Sequence, residues 1–160
     1  AFMPHGENLI LVLRDHAPVR VLMKDIGEEV AVFARPDDPE VTMPDDIARI
    51  RVDVEPDLQV LSILTDAVDG FLRFLAAICV DDDLIAQDQF WMLARAVLEE
   101  HAADHPEIAD RLAELDVQRP RFAHSCLNRL QLRNTLQMVD LADQASSLIM
   151  AGELANPLAP

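Results

Sequence analysis

The hydrophobic pattern changes its period once along this 160-residue chain, and that change limits the fold class most. Residues 9–13 are five consecutive apolar residues, and the apolar pattern resumes at 19–23, with Arg20 among them, after the turn-like sequence Asp-His-Ala-Pro. This pattern predicts a β-hairpin, with a third short strand over 30–33. From about residue 57 the apolar residues recur every three or four positions, which predicts amphipathic helices. The sequence therefore predicts an α+β fold, a small antiparallel β-hairpin or sheet at the N-terminus followed by a mainly helical layer.

The expected organisation is a single domain over residues 1–160. Residues 1–34 contain the hairpin and residues 57–139 the helical part, while 140–160 form a C-terminal segment that ends as a tail. The first helix should end near residues 81–83, the second should cover 90–98, and Pro106 suits the first turn of a third. A helix is also predicted over 122–138, and the proline-rich, acidic stretch 35–46 is predicted to be a loop.

Charge and cysteine content limit the partners of the chain. Its formal net charge of −16 repels nucleic-acid backbones and anionic lipid, so neither a nucleic acid nor a membrane is expected as a partner. No apolar stretch approaches the ~20 residues that cross a bilayer. Its two cysteines fit a reducing cytoplasm. The chain begins with Ala rather than Met, so we expect it to be part of a longer protein.

One segment departs from the acidic background. Residues 117–139 contain no Asp or Glu, and they include four arginines and one histidine: Arg119, Arg121, His124, Arg129 and Arg133. Such a segment is a natural place to receive an anion. The alternative is that these arginines pair with acidic residues elsewhere in the fold.

Polar residues gather at the open end of the predicted hairpin. If Asp15 to Pro18 form a four-residue loop, Arg14 pairs with Val19, and counting back along both strands places Asn8 opposite Asp25. The other polar residues at this end are His5, Glu7 and Lys24. Carboxylate and amide oxygens are the ligands that Mg²⁺ prefers beside substrate phosphates. Lys24 is the only lysine in the chain, and with His5 it could supply positive charge to a phosphate or a reacting carboxylate. The alternative is a solvated hairpin end with ordinary polar residues.

Two other polar groups predict less. His101 and His105 have the i, i+4 spacing of a helical zinc pair but lack the metalloprotease glutamate between them, so a solvated helix end is favoured. Cys79 falls on the apolar stripe of the first helix and is expected to be a core residue.

Five ordered blocks of the sequence resemble the C-terminal part of the siderophore synthetases that work without a peptide-synthetase assembly line, the aerobactin-synthetase superfamily. Within it, the chain is most similar to the desferrioxamine and alcaligin synthetases. The blocks span residues 2–8, which contain the His-x-x-Asn motif, 24–29, which contain the Lys-Asp motif, 71–77, 125–133 and 137–143, and the resemblance ends at 156–158.

The resemblance implies an ATP-dependent amide-forming ligase. Such enzymes adenylate a carboxylate with release of pyrophosphate, and an amine then attacks the acyl-adenylate with release of AMP. In this branch the substrate is an N-hydroxy-N-succinyl-diamine of the cadaverine or putrescine type, and repeated coupling gives a macrocyclic hydroxamate that chelates Fe³⁺. The chain would be the palm-like portion of a homodimeric enzyme whose N-terminal portion is missing here, with ATP and Mg²⁺ bound between palm and fingers.

The family's functional residues carry over onto specific positions. The resemblance implies that His5 and Asn8 lie at the ATP and acyl-adenylate site and that Asp25 helps hold Mg²⁺. The family often has glutamate at the position of Met3 and glutamine at that of Glu7, so Glu7 is suggested to take over part of the metal site. Lys24, proposed from its charge at the hairpin end rather than from the resemblance, is the second candidate catalytic residue, after His5. Arg129 and Arg133 match a basic block that faces the carboxylate or phosphates in related enzymes.

Overall fold

The structure is a computed structural model, and it describes residues 6, 8–24, 32–33, 44–48, 51–52, 54–126 and 149–160. The chain divides into two compact units, Ala1–Val117 and Gln118–Pro160. The predicted α+β class is confirmed, because an antiparallel hairpin precedes the helices.

The hairpin of the first unit consists of strands β1 (Leu9–Arg14) and β2 (Ala17–Met23). The predicted third strand is present as β3 (Val32–Phe33), which pairs in parallel with β4 (Arg51–Val52). The apolar run of β1 was expected to be a buried strand, but most of its side chains are exposed within this chain.

The helices of the first unit follow the predicted order. They are α1 (Asp45–Ala48), α2 (Pro56–Gln59), α3 (Leu61–Ile63), a π-helix (Leu64–Leu72), α4 (Arg73–Asp81), α5 (Gln87–Asp104), a 3₁₀ turn (Pro106–Ile108) and α6 (Ala109–Leu115). Pro106 begins the 3₁₀ turn, as its missing N–H and fixed φ favour. Because α1 begins at Asp45, the prediction of a loop through residue 46 is wrong at its end; residues 34–43 lie outside the described part. None of the described helices combines the length and apolarity needed to cross a bilayer.

The core of the first unit lies along the segment from α2 to α5. Its buried apolar residues are Val60, Leu61, Leu64, Val68, Ala76 and Trp91. Buried Gln59 connects this core to α6, because its side-chain oxygen accepts a hydrogen bond from the Arg111 guanidinium. The helices from α2 to α4 therefore supply most of this core, and the π-helix among them contributes Leu64 and Val68.

The second unit is built on strands β5 (Arg121–Cys126) and β6 (Ile149–Ala155), which pair antiparallel. The prediction of a helix over 122–138 is therefore wrong for residues 122–126, and residues 127–138 lie outside the described part. The expected tail is also wrong for residues 149–158, because β6 is paired and Asn156 and Leu158 are buried.

Candidate functional site

The turn of the hairpin determines which residues meet at its open end. Asp15 and His16 both have positive φ, 51° and 67°, so they form a two-residue loop and Arg14 pairs with Ala17. The register of the strand pair shifts by one residue between Val12 and Leu13, beside Pro18, which has no backbone N–H to donate. Beyond this shift Leu9 pairs with Met23. The predicted four-residue loop is therefore wrong.

The corrected register places Asn8 opposite Lys24. The backbone N–H of Lys24 donates a hydrogen bond to the carbonyl of Asn8 over 3.0 Å, so the prediction that Asn8 lies opposite Asp25 is wrong by one residue. Asn8 is only 2% exposed, whereas Lys24 is exposed. At the open end of the hairpin, a backbone hydrogen bond thus links buried Asn8 to Lys24, the single lysine of the chain.

Gly6, which precedes β1, lies against the π-helix. A Cβ built on Gly6 would lie 3.5 Å from Cδ2 of Phe71, so the backbone of Gly6 faces this aromatic ring. Gly70 precedes Phe71, and a Cβ built there would lie 3.0 Å from the carbonyl oxygen of Thr65. The wide turn of the π-helix therefore favours glycine at 70. π-Helical turns are frequent at functional sites, and this one contacts the His-x-x-Asn block through Gly6.

Arg73, in the family-like block at 71–77, is held by two neighbours. Its Nε lies 3.0 Å from Oδ1 of Asp69, whose side chain is 12% exposed, and its guanidinium carbon lies 5.1 Å from the centre of the Phe74 ring. Half-exposed Arg73 thus compensates a largely buried carboxylate at the end of the π-helix.

Of the predicted site residues, Asn8 and Lys24 lie in the described part of the chain, and the structure brings their backbones together. The remaining predicted site residues lie outside the described residues: His5, Glu7, Asp25, Arg129 and Arg133. Their roles stay predictions.

The arginine-rich segment is described through residue 126. Arg121 Nε lies 3.1 Å from Oε2 of Glu153 across the β5–β6 pair, so pairing with an acidic residue, the alternative considered for this segment, holds for Arg121. Both side chains are more than half exposed, and such an ion pair adds little stability.

The histidine pair at the end of α5 is a local helix-end arrangement. The rings of His101 and His105 lie 4.5 Å apart, and His105 Nδ1 lies 2.9 Å from Oε1 of Glu107. The backbone N–H of Glu107, which donates a hydrogen bond to the Glu107 carboxylate, and then the His105 side chain lower the pKa of this carboxyl. Among the described residues, no group of three or more His, Cys, Asp and Glu is arranged to hold a metal ion. Cys79, expected in the core, is half-buried on α4.

Comparison with known proteins identifies the family. The sequence model of the family described as "Ferric iron reductase FhuF-like transporter" matches residues 1–140. The chain belongs to this FhuF-like family.

Two relatives of the FhuF-like chain are synthases. Putrebactin synthase from a Shewanella species is 44% identical over 158 residues, which are 99% of this chain and 24% of that protein. Aerobactin synthase from Vibrio mimicus is 26% identical over 84% of this chain and 23% of its own length.

A solved structure gives the same fold. The FhuF-like chain superposes on the petrobactin biosynthesis protein AsbB from Bacillus anthracis with a TM-score of 0.75 and 24% identity, over 99% of this chain and 27% of that one. The chain therefore spans about a quarter of the length of the relatives that it matches. The resemblance to the C-terminal portion of the siderophore synthetases is confirmed.

Sequence reasoning missed two groups that support this architecture. Asn156 donates from Nδ2 to the carbonyl of Arg119 over 2.7 Å, and its Oδ1 accepts from the N–H of Leu158 over 3.0 Å. This explains the final Asn-Pro-Leu block as a buried anchor of the second unit. The other group is Gly70 with Phe71, for which the only sequence signal is a glycine inside a helical pattern.

Proposed function

We propose that this chain is part of an ATP-dependent siderophore synthetase. In the first step a succinyl carboxylate attacks the α-phosphate of ATP, which forms an acyl-adenylate and releases pyrophosphate. The amine of an N-hydroxy-diamine then attacks the acyl-adenylate, forming an amide and releasing AMP. Repetition on an N-hydroxy-N-succinyl-diamine of the cadaverine or putrescine type gives a macrocyclic hydroxamate. The observation that carries the proposal is the 44% identity with putrebactin synthase over nearly the whole chain.

The open end of the hairpin is the proposed nucleotide site. His5, Asn8 and Asp25 bind ATP, and His5 and Lys24 supply positive charge toward the reacting carboxylate and phosphates. The pairing of Asn8 with Lys24 supports this assignment, because the Lys-Asp block is held beside the His-x-x-Asn block by the 3.0 Å backbone hydrogen bond. Arg129 and Arg133 bind the substrate carboxylate or phosphates.

Glu7, Asn8 and Asp25 are the residues proposed to hold Mg²⁺. Two carboxylates and one amide oxygen fit a hard cation. The burial of Asn8 shields its amide from bulk water, and an ion–dipole contact is stronger in such a low-dielectric site than in water. When bound, Mg²⁺ neutralises charge on the phosphates during adenylation. This chain holds the two motif blocks together where β1 begins and β2 ends.

The family description names a reductase and transporter, whereas the relatives that match most of the chain are named as synthases. The proposal rests on the synthases, because the similarity to putrebactin synthase spans 99% of the chain, including the final Asn-Pro-Leu block, whereas the family model ends at residue 140. The proposed location of the synthetase is the cytoplasm, where ATP is available, and the proposed assembly is a homodimer.

We expect the 160-residue chain alone to be inactive. It carries 13 basic residues against 29 acidic ones and a single lysine, so the cations that grip the phosphates of ATP are assigned to the N-terminal portion of the synthetase. AMP release by this chain alone, above a protein-free control, would contradict this assignment.

Product analysis tests the proposed substrate. The intact parent enzyme is incubated with Mg²⁺-ATP and N-hydroxy-N-succinylcadaverine, the putrescine homologue or citrate plus a diamine, and AMP and product mass are followed together. A dehydrated oligomer or macrocycle formed with AMP supports the proposal. AMP with citrate alone would move the chain to a citrate-using branch. The higher identity with putrebactin synthase than with aerobactin synthase, 44% against 26%, supports a place outside the aerobactin branch.

A non-catalytic interaction module is the alternative from another class. In that case the helices dock a partner and the hairpin motif has no chemical role. Absence of AMP with every carboxylate would favour this alternative.

A further inference from the structure

One face of the β1–β2 hairpin runs from the proposed nucleotide site to a pair of guanidinium groups. Side chains alternate along a strand, so Ile10, Val12 and Arg14 of β1 lie on one face. Asn8 precedes them at the same spacing, and the hydrogen bond of its carbonyl with the backbone of Lys24 extends the strand pairing by one residue. Along this face of β1 an amide is therefore followed by two apolar residues and then by a cation.

The cross-strand partners on β2 repeat this order. From the open end of the hairpin toward its turn, they are Lys24, Leu22 and Arg20. Near the turn this face carries a hollow of about 440 Å³, a size typical of small-molecule sites. The hollow is lined by Val12, Arg14, Val19, Arg20 and Leu22. In the described part of the chain, three apolar side chains and two guanidinium groups thus form its walls, and no carboxylate does.

The two arginines of this hollow differ from other arginines of the chain. Within the described residues, neither Arg14 nor Arg20 has an ion-pair partner, although the sequence has 29 acidic residues against 13 basic ones. Three other arginines each lie against a carboxylate: Arg73, Arg111 and Arg121. A guanidinium binds a carboxylate through two parallel hydrogen bonds. Two such groups beside apolar walls therefore suit an aliphatic molecule that ends in a carboxylate.

The proposed substrate has this chemistry and a matching length. Arg20 lies opposite Val12, four residues from Asn8, and at a rise of ~3.4 Å per residue this is about 14 Å along the strand. N-hydroxy-N-succinylcadaverine carries an amine at one end and a carboxylate at the other. Its chain has about eleven atoms from the amine nitrogen to the carboxylate carbon, as many as nearly four extended residues, so it spans about 13 Å. A molecule whose carboxylate lies at Arg20 therefore places its amine at the open end of the hairpin.

We propose that this face binds the acceptor, the substrate molecule that donates the amine, with its free carboxylate held by Arg14 and Arg20 and its aliphatic chain along Val12 and Leu22. The acceptor amine attacks the acyl-adenylate of a second substrate molecule at the open end of the hairpin. The nitrogen forms the amide bond and loses one proton, the bond between the acyl carbon and the AMP oxygen breaks, and AMP leaves with the electron pair. This inference rests on the proposed function. It explains how a molecule with two reactive ends presents its amine and not its carboxylate.

Two substrate analogues separate the acceptor from the donor in the intact parent enzyme. The donor, supplied in excess, is N-hydroxy-N-succinylcadaverine with an acetylated amine, which can be adenylated but cannot attack. The acceptor is either N-hydroxy-N-succinylcadaverine or N-hydroxy-N-acetylcadaverine, which keeps the amine but has no carboxylate. Mass spectrometry quantifies the coupled product as a function of acceptor concentration. In the wild type we expect a lower KM for the succinyl acceptor than for the acetyl acceptor.

Arginine variants identify the groups that read the acceptor carboxylate. Arg14→Gln and Arg20→Gln should each raise the KM for the succinyl acceptor at least ~10-fold, as expected for losing hydrogen bonds to a charged group. The KM for the acetyl acceptor should change less than ~2-fold, because that acceptor has no carboxylate to lose. Arg51→Gln removes an exposed arginine outside the hairpin and is the matched control, which should change neither value. Circular dichroism establishes that each variant is folded.

Three results would overturn the inference alone. The wild type could have the same KM for both acceptors, the hairpin variants could raise both KM values by the same factor, or they could change neither. AMP formation from the acetylated donor with hydroxylamine as nucleophile measures adenylation without any acceptor. Its absence in the wild type would refute the proposed function, and the acceptor site with it.

Discussion

Two buried asparagines, Asn8 and Asn156, have different roles. Asn156 is 6% exposed and makes two side-chain hydrogen bonds that close the second unit. Asn8 is 2% exposed and lies at the proposed nucleotide site. Asn156 therefore serves the fold of the second unit, whereas Asn8 joins the fold to the proposed chemistry.

Substitution separates these roles. Asn156→Ala leaves the N–H of buried Leu158 and the carbonyl of Arg119 without this partner, so we expect it to lower the free energy of unfolding by about 1–3 kcal/mol. The activity per folded molecule should be unchanged. Asn8→Ala should reduce AMP release by the intact enzyme beyond the loss of folded protein. Urea denaturation and AMP assays of both variants check this, and equal activity per folded molecule in both would contradict it.

The pKa of Glu107 gives a prediction at the end of α5. Its carboxyl pKa lies below the ordinary value of 4.5, first because the carboxylate accepts a hydrogen bond from its own backbone N–H and then because of the His105 side chain. In His105→Ala we expect the pKa to rise but to stay below 4.5, because the larger cause remains. His101→Ala should change it less, since His101 acts only through its charge. Carbon-detected NMR titration of the carboxyl measures these shifts, and an unchanged pKa in His105→Ala would contradict the assignment.

The sign of the pH effect follows from the lowered pKa. Glu107 stabilises the folded state above pH 4.5, and this contribution is lost as the pH falls below 4.5 through the pKa of the folded state. In His105→Ala the loss should begin nearer to pH 4.5 than in the wild type.

The register error at Asn8 shows what sequence could not give at this scale. The residues of the hairpin and their approximate pairing were predictable from two apolar runs around a turn. The two positive φ angles at Asp15 and His16 and the shift beside Pro18 depend on the folded backbone, and together they move the partner of Asn8 by one residue.

Among the elements, the π-helix was the least predictable. Its apolar residues fit the three-to-four spacing that predicts an ordinary helix, so the pattern gives the existence of a helix but not its wider turn. The short strand β5 was predicted as helix for a related reason, because a six-residue mixed segment has no decisive period. Long periodic segments such as α5 were predicted correctly because their own pattern sets their structure.

Gly70→Ala tests the π-helix. In an ordinary helix interior, alanine stabilises by about 1 kcal/mol relative to glycine. At Gly70 the new Cβ would lie 3.0 Å from the backbone carbonyl oxygen of Thr65, so we expect this gain to be lost or reversed. Gly6→Ala is the control, because its new Cβ would make an ordinary 3.5 Å contact with Phe71. Urea denaturation compares the two, and a full gain of about 1 kcal/mol in Gly70→Ala would show that the wide turn imposes no constraint.

At the scale of the whole molecule, the sequence and the structure disagree about the hairpin in an informative way. The apolar run at 9–13 predicts a buried strand, yet Ile10, Leu11 and Leu13 are about half exposed. The chain spans about a quarter of the length of its relatives, and these exposures describe the hairpin in that part alone. Fold class and family were predictable because they depend on local pattern and on motif blocks. The exposure of the hairpin was not, because an apolar run predicts a strand but does not determine which side chains pack against it.

Carboxylate-dependent AMP formation by the intact parent enzyme tests the central claim most directly. Wild type, His5→Ala and Glu107→Gln are compared with Mg²⁺-ATP and N-hydroxy-N-succinylcadaverine. We predict one AMP per amide formed in the wild type and in Glu107→Gln. In His5→Ala the rate should fall by about 10²–10⁴-fold, the usual effect of removing a group that assists proton or charge transfer. Undiminished AMP formation by His5→Ala, or none by the wild type with any carboxylate, would contradict the assignment of adenylation chemistry to the end of this hairpin.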